Sequence, residues 1–290
     1  MMLVVGITSR ALFDLDLSHE IFINQGLEAY RDYQVKKENI PLEQGQAFNL
    51  VNKLLGINRK LNKKVVEVIL LSRNTSDIGL RIFNSIEHHG LEIKKAAFTG
   101  GNSPHTYAKS FGAHLFLSSE FSDCKSALKN GIAAARIIPG PKRKLDTNLL
   151  KVAFDGDAVI FSDESQSIFD KKGLKAFEMN EVSLAKKSLH GGPFKEFLFQ
   201  LHKLQNYFSL EECPIRIALM TARHAPSHER VIRTLRDWNI RIDECLFLGG
   251  QNKVDFLKDY QADIFFDDQK EICDLATRLI PTGQVIRLQT

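Results

Sequence analysis

Short apolar segments alternate along the chain with longer amphipathic stretches. The amphipathic stretches, among them 192–208 and 228–239, repeat apolar residues at the spacing of an α-helix. The apolar segments have the length of strands and lie at 3–7, 65–71, 95–100, 114–117, 151–154, 215–220, 244–249 and 263–266. Continuously apolar strands separated by helices are typical of a parallel sheet covered on both faces. The pattern therefore predicts an α/β fold with a Rossmann-like parallel sheet.

The strand and helix series occurs twice, and its two copies align with each other. Over residues 70–127, an ungapped comparison with the residues 149 positions later gives 11 identities in 58 positions. Ordinary composition gives about three or four by chance. Any two α/β halves share a period, so a shared period is the alternative interpretation. We favour duplication, with residues 1–140 and 141–290 as two domains joined by the Pro- and Lys-containing segment 137–148.

Composition and charge exclude several classes of protein. The chain has 290 residues, of which 43% are hydrophobic, and a net charge of +4, which is too small to favour binding of a nucleic acid polymer or an anionic membrane. The four cysteines form no CxxC pair and are expected to be reduced and mostly buried. No apolar run is long enough for a membrane span, and the first one is too short for a signal peptide. We therefore expect a cytoplasmic protein.

Polar side chains follow four strand or loop segments of the second half. In an open α/β sheet, ligands bind at the carboxyl edge of the strands, so we expect these side chains to converge in one crevice. They are Asp155 and Asp157 after KVAF, Thr221 after IALM, Lys253 after GGQN, and Asp267 and Asp268 after DIFF.

These residue types suit the hydrolysis of a phosphate ester. Asp155, Asp267 and Asp268 are candidate ligands of Mg²⁺, a cation that prefers carboxylate oxygens, and Asp157 is a fourth candidate. Asp155 can attack phosphorus and form an aspartyl-phosphate. Asp157, two residues further on, can protonate the leaving oxygen and later deprotonate water.

Three further side chains are candidates for holding the substrate. The Thr221 hydroxyl and the Lys253 ammonium can bind phosphoryl oxygens as charge shifts in the transition state. Arg223 can contact phosphate or base, or it can pair with a surface carboxylate. Each candidate alone has a more ordinary explanation, such as a helix cap or a solvated lysine. Their common order and context favour a site.

The exact sequences of five motifs are more specific than this pattern of polar residues. The motifs are TSRALFD (8–14), FTGGNSP (98–104), VAFDGDAVIFSDES (152–165), ECPIRIALMTAR (212–223) and IFFDDQ (264–269). They resemble the cytosolic 5'-nucleotidase I family of the haloacid-dehalogenase-like superfamily. The resemblance implies Mg²⁺-dependent hydrolysis of nucleoside 5'-monophosphates, AMP-like ones among them. It also implies Asp155 as nucleophile, Asp157 as acid/base, Thr221 and Lys253 as phosphate contacts, and Asp155 and Asp267 as metal ligands.

A small cap is expected over the site at about 161–210. Three phenylalanines of this segment can stack on a nucleotide base, although packing in the core is the more ordinary role of such residues. They are Phe161, Phe169 and Phe177.

The first half is predicted to have lost the chemistry. At the matching positions Thr8 replaces Asp155 and Arg10 replaces Asp157, while Ser72 corresponds to Thr221. Pro104, Ser118 and Ser119 stand where the second half has Lys253, Asp267 and Asp268. The first half is therefore expected to be degenerate and non-catalytic. Asp14 and Asp16 lie past the strand end and are not expected to replace the missing carboxylates.

Two other functions stay open. One is a phosphatase of the same class that acts on another small phosphate ester, such as a sugar phosphate. The other is a non-catalytic nucleotide-binding protein, although buried, unused carboxylates would be costly. The residues do not decide the base preference, any effector, or whether the chain forms a homo-oligomer.

Overall fold

The computed structural model describes residues 2–141 and 148–288. The chain divides into two compact units, Met1–Lys144 and Leu145–Thr290, here called unit 1 and unit 2. Each unit is a Rossmann-like α/β layer structure with a parallel sheet of five strands. The central part of the predicted linker, residues 142–147, lies outside the described residues.

Unit 1 has the strand order β3-β2-β1-β4-β5. Its strands are β1 (Leu3–Ile7), β2 (Val66–Ser72), β3 (Lys95–Phe98), β4 (Leu115–Ser118) and β5 (Ala133–Ile137). Its helices are α1 (Ser9–Leu12), α2 (Asp16–Lys36), α3 (Phe48–Leu61), α4 (Leu80–His88), α5 (His105–Ser110) and α6 (Phe121–Lys129), with a 3₁₀ turn at Ser76–Ile78.

Unit 2 has the strand order β10-β9-β6-β7-β8. Its strands are β6 (Leu150–Phe154), β7 (Ile215–Thr221), β8 (Glu244–Phe247), β9 (Ile264–Asp267) and β10 (Thr282–Val285). Its helices are α7 (Glu164–Ser183), α8 (Lys195–Gln205), α9 (His228–Asp237), α10 (Lys253–Tyr260) and α11 (Lys270–Ala276). A single wide turn, Gly156–Ile160, follows β6.

The central strands of each sheet are buried on both faces, as their continuous apolar sequences predict. In unit 2, Phe154 of β6 lies 5.5 Å from Phe266 of β9 between ring centroids. Phe194 and Phe197, at the start of α8, pack against both rings. Burial of each such ring stabilises the fold by roughly 1.5–3 kcal/mol. Within the predicted cap range of 161–210, α8 therefore covers the sheet.

Helices α2 and α7 share an unusual interruption. Gly26 has φ 85° and ψ −176°, and Gly173 has φ 78° and ψ 179°. This region of backbone conformation is essentially restricted to glycine. The chain also leaves no space at two matching glycines, because a Cβ would lie 2.8 Å from the backbone at Gly45 and 2.2 Å at Gly192.

We propose that the two units arose by duplication. The identical strand order supports the proposal, because β1 to β5 take the same places in unit 1 as β6 to β10 take in unit 2. The matching glycines support it further, since each pair is separated by 147 residues, the separation that also relates Thr8 to Asp155.

Candidate active site

The carboxyl ends of β6, β7 and β9 bring the predicted polar residues of unit 2 together. Strand β6 pairs with β7 on one side and with β9 on the other, both in parallel. Asp155 follows β6 directly, Thr221 ends β7, and Asp267 ends β9. Lys253 is the first residue of α10, where Asn252 caps the helix by accepting from the backbone N–H of Val254. The side chains of Asp155, Thr221, Lys253 and Asp267 are buried.

Three buried carboxylates form one group at this edge. Asp155, Asp267 and Asp268 each offer an oxygen, and these oxygens lie within 4.8 Å of one another. The Lys253 ammonium bridges two of them, with Nζ 2.6 Å from Asp155 Oδ1 and 2.8 Å from Asp267 Oδ2. The other oxygen of Asp267 accepts a hydrogen bond of 2.8 Å from the backbone N–H of Gln269. These four residues, which the sequence predicts to converge, lie together at this edge.

The electrostatics of this group show an excess of negative charge. Burial raises the pKa of Asp155 to about 8; Lys253 opposes the shift, and Asp267 and Asp268 add to it. Burial and Asp267 likewise raise the pKa of Asp268 to about 6, against the effect of Arg287. Burial alone would lower the pKa of Lys253, but Asp155 and Asp267 hold it above its ordinary value. Two cations, Lys253 and Arg287, the latter paired with Asp268, therefore do not fully balance the three carboxylates.

The donor set fits a hard divalent cation. Carboxylate oxygens are the ligands that such cations prefer, and the three here are close enough to share one ion. The Oδ1 atom of Asp268 is buried and has no hydrogen-bond partner among the described residues. A buried acceptor without a partner is costly, and a cation would satisfy it.

Asp157 is held apart from this group by Arg223. Nε of Arg223 lies 2.8 Å from Asp157 Oδ2, and Nη2 lies 2.7 Å from Asp157 Oδ1. The third nitrogen of the guanidinium, Nη1, donates to Glu181 of α7. The guanidinium of Arg223 thus donates to carboxylates, the second of the two roles considered for it, and these carboxylates are buried rather than on the surface. Both oxygens of Asp157, a fourth candidate for the metal, are engaged by Arg223.

A buried ion-pair network continues behind Arg223. Arg230 of α9 donates to Glu181 at 2.9 Å and to Glu164 at 3.0 Å, so Glu181 lies between two guanidinium groups. Ser165 adds a hydrogen bond of 2.8 Å to Glu181. Burial would raise the pKa of Glu181, but Arg223 holds it below its ordinary value. Sequence reasoning missed Glu181 and Arg230; the identity between Arg81 and Arg230 in the repeat was the available signal.

The turn after β6 positions Asp157. Its own backbone is extended, and the next residue, Ala158, has φ 62° and ψ 0°. The turn closes when Phe161 N–H donates to Gly156 O at 2.9 Å. A non-glycine residue in the left-handed region is strained and is common at functional sites. The turn returns the chain towards the strand end and so keeps Asp157 near the crevice.

A cavity of about 630 Å³ opens beside these residues. Its polar side includes Asp157, Arg223 and Asp268, and α7 supplies an apolar side through Phe169, Leu174 and Phe177. The Arg223 guanidinium lies over the ring of Phe177, with its Cζ atom 5.1 Å from the ring centroid. Phe161, the third phenylalanine considered for base stacking, is buried in the core against Trp238 instead.

The matching edge of unit 1 has a different composition. Thr8, Ser72 and Ser118 stand at the strand ends, and the three-carboxylate group of unit 2 has no counterpart within the described part of unit 1. One carboxylate does reach this edge from α6, because Arg73 holds Asp123 with Nε 3.1 Å from Oδ2. Asp14 accepts a hydrogen bond of 3.1 Å from the backbone N–H of Asp16, and it belongs to no group of carboxylates that could hold a metal among the described residues.

Two further expectations can be compared with the structure. All four cysteines are free thiols; Cys124, Cys213 and Cys273 are buried, and Cys245 is exposed. None of the helices in the described part of the chain has the length and apolar character needed to cross a bilayer.

Comparison with known proteins gives one family. A family model described as 5'-nucleotidase matches residues 1–289. The human protein named cytosolic 5'-nucleotidase 1B is 37% identical over 290 residues, which cover 96% of this chain and 47% of the human protein. The chain therefore spans about half the length of this curated relative.

Solved structures give only weak likenesses. A structure of the Pnkp1/Rnl/Hen1 complex matches with 14% identity and a TM-score of 0.34, covering 98% of this chain and 96% of the other. Histidinol dehydrogenase from Elizabethkingia anophelis matches with 12% identity and a TM-score of 0.24, covering 80% and 48%. Likenesses of this strength support no argument about fold or function.

Proposed function

Because the chain belongs to the 5'-nucleotidase family, we propose that it hydrolyses nucleoside 5'-monophosphates, AMP-like ones among them, to nucleoside and phosphate. The observation that carries the proposal is the buried group of Asp155, Asp267 and Asp268 bridged by Lys253 at the carboxyl edge of the sheet. Buried carboxylates in such number are costly unless they serve a ligand or a reaction.

The first half of the reaction transfers the phosphoryl group to the protein. A carboxylate oxygen of Asp155 attacks phosphorus, and the bond from phosphorus to the 5' oxygen breaks. Asp157, which enters this step carrying a proton taken from solvent, donates that proton to the leaving oxygen, and the nucleoside departs. Lys253, already 2.6 Å from Asp155, and Thr221 contact the phosphoryl oxygens as their charge shifts.

The second half returns the protein to its starting state. Asp157, now a carboxylate, takes a proton from water, and the water oxygen attacks phosphorus. The bond from phosphorus to Asp155 breaks, and phosphate leaves. Arg223 donates to both oxygens of the Asp157 carboxylate and so positions it to take the proton from water.

Mg²⁺ is the proposed cofactor, with Asp155, Asp267 and Asp268 as its ligands. When bound, it supplies positive charge that offsets the repulsion between the phosphate and the carboxylates. The unpartnered Oδ1 atom of Asp268 and the raised pKa of Asp155 and Asp268 support this assignment.

The apolar side of the cavity is the proposed contact for the nucleotide base. Phe169 is 43% exposed and lines the cavity, so its ring is accessible to a ligand. Aromatic side chains stack on every base because each base has a π-face. A sugar phosphate would leave this wall without a partner, which favours a nucleotide over the other phosphate esters.

A phosphate-release screen tests the proposal. Nucleoside monophosphates and sugar phosphates are compared with and without Mg²⁺, and nucleotides are expected to be preferred only when the metal is present. Equal rates for all esters would favour a general phosphatase, and no release at all would favour a nucleotide-binding protein. A cytoplasmic location is part of the proposal, supported by the word cytosolic in the name of the human relative.

A further inference from the structure

Unit 1 contains a cavity of its own at the carboxyl ends of β1, β2 and β4. Its volume is about 420 Å³. Within unit 1 this is the edge that corresponds to the candidate active site of unit 2, since β1, β2 and β4 take the places of β6, β7 and β9. No step of the proposed reaction uses this cavity.

One wall of the unit 1 cavity keeps the apolar side chains of the unit 2 cavity. Phe22, Leu27 and Tyr30 line it, and each lies 147 residues before its counterpart in the set Phe169, Leu174 and Phe177. The arrangement of the rings is also the same. Phe22 and Tyr30 meet edge to face at 6.0 Å and 77°, and Phe169 and Phe177 meet at 6.3 Å and 89°. His19 stacks on Phe22 and extends this wall.

The opposite wall has exchanged carboxylates for hydroxyl groups and a cation. Thr8 and Arg10 stand where unit 2 has Asp155 and Asp157, and Ser118 stands for Asp267. The Thr8 side chain is buried, and its Oγ1 atom has no hydrogen-bond partner among the described residues. A buried hydroxyl without a partner is costly, and an anionic ligand oxygen would satisfy it.

Arg10 is only loosely held by the protein. Its guanidinium lies 3.5 Å from both Asp16 and Glu120, and about a quarter of its side chain is exposed, at 27%. Distances of 3.5 Å are at the limit of a useful hydrogen bond, so the guanidinium can turn to a better acceptor. The firm partnership that fixes Asp157 in unit 2 is missing here, because Asn74 and Gln34 stand for Arg223 and Glu181.

The remaining charges of the unit 1 cavity do not make a metal site. Asp123 already accepts hydrogen bonds from Arg73, Ser103 and Ser118. Glu120 is the other carboxylate on the lining. Two carboxylates, one of them committed to three donors, do not repeat the group that could hold a cation in unit 2. A threonine in the place of the nucleophile also cannot form an acyl phosphate.

We propose that the cavity of unit 1 binds a nucleoside 5'-phosphate without metal and without hydrolysing it. The base lies on the wall of Phe22 and Tyr30, and the phosphate lies against Thr8 and Arg10. The choice of ligand class rests on the proposed function, because the aromatic wall is shared with the cavity assigned to the substrate. Because the aromatic wall is shared with unit 2 and the carboxylates are replaced, this site can bind the nucleotide but lacks the groups that would hydrolyse it.

Calorimetric titration of the full chain in EDTA tests this inference. AMP, GMP, CMP and UMP are titrated in turn, and at least one is expected to bind at one site per chain. The Arg10→Ala variant should weaken that binding roughly tenfold or more, because a hydrogen bond to a charged group is lost. Phe169→Ala, the matched control in unit 2, should leave it unchanged. Adenosine should bind more weakly than AMP, since it lacks the phosphate.

Two results would overturn the inference. One is the absence of binding in EDTA for all four nucleotides. The other is EDTA-resistant binding that Phe169→Ala removes and Arg10→Ala keeps, which would place the ligand in unit 2. Phosphate release with Mg²⁺ is measured on the same samples. Binding in unit 1 without any nucleotide hydrolysis would contradict the proposed function alone, and hydrolysis without binding in unit 1 would contradict this inference alone.

Discussion

Arg223 donates to both carboxylate oxygens of Asp157, with Nε 2.8 Å from Oδ2 and Nη2 2.7 Å from Oδ1. The same guanidinium holds Glu181 of α7, whose partner on the other side is Arg230. The proposed acid/base is therefore fixed by a residue that follows β7 and by the helix that lines the cavity. This chain of contacts couples the position of the proton carrier to the packing of α7.

Replacement of Arg223 should slow the chemistry more than it weakens binding. Arg223→Gln leaves Asp157 without its two-point contact, and a misplaced catalytic group can cost about 10²-fold in rate. We expect kcat to fall by roughly that factor while KM changes little, measured as AMP hydrolysis with saturating Mg²⁺. Arg233→Gln, which changes an exposed arginine of α9, is the control. A raised KM at unchanged kcat would instead make Arg223 a substrate contact.

Glu181 should make the stability of the fold depend on pH. Burial would raise the pKa of Glu181, but the neighbouring Arg223 keeps the pKa of Glu181 below its ordinary value of 4.5. A carboxyl with a lowered pKa in the folded state stabilises the protein above its unfolded pKa. That stability is lost as the pH falls through the folded value. Glu181→Gln should cost about 3–5 kcal/mol at neutral pH, because two buried guanidinium groups lose a charged partner.

Urea denaturation between pH 3 and pH 7 measures this dependence. The difference in unfolding free energy between wild type and Glu181→Gln should be largest at neutral pH and shrink below about pH 4.5. Glu211→Gln, at an exposed position, should differ little from wild type throughout. A difference that stays constant down to pH 3 would show that the charge of Glu181 does not contribute.

Removal of metal should silence the proposed reaction. EDTA is expected to stop phosphate release, and Mg²⁺ is expected to restore it. Asp267→Asn should raise the Mg²⁺ concentration needed for half-maximal rate or remove activity, because a hard cation loses an anionic ligand. Asp255→Asn, an exposed carboxylate on α10, should behave like wild type. Full activity in the chelator would rule out the metal.

The aromatic wall should govern recognition of the base. Phe169→Ala should raise KM for AMP by roughly 5- to 150-fold, since stacking on a ring contributes roughly 1–3 kcal/mol per base. KM for ribose 5-phosphate, which has no base, should not change. Phe199→Ala on α8, outside the cavity lining, is the control. Equal effects of Phe169→Ala on both substrates would assign the ring a structural role.

Strands whose sequence is strongly apolar could be predicted closely. The predicted strands 3–7 and 215–220 appear as Leu3–Ile7 and Ile215–Thr221. Strands β5 and β10 were missed. Their sequences, AAARI and TGQV, contain alanine, glycine and glutamine, which have little preference for strands. Their pairing with β4 and β9 determines these strands more than their own residues do.

The residues of the candidate site likewise fall into those that the sequence predicts and those that it does not. Asp155, Thr221 and Asp267 could be placed because a strand end fixes where its next side chain goes. The partners of Arg223 could not be placed, because Glu181 lies 42 residues away on α7 and the sequence does not show which carboxylate of this helix faces inward. Asp123 was missed in the same way, since it reaches the strand edge of unit 1 from α6.

The rate of phosphate release by Asp155→Asn tests whether Asp155 is the nucleophile. The variant is incubated with AMP and Mg²⁺ beside wild type, and circular dichroism confirms that both are folded. We expect turnover to fall to background, because an amide cannot attack phosphorus, while the variant stays folded. Acid quenching of wild type should also trap a phosphoryl group on the peptide that contains Asp155. Turnover by Asp155→Asn at the wild-type rate would show that Asp155 is not the nucleophile.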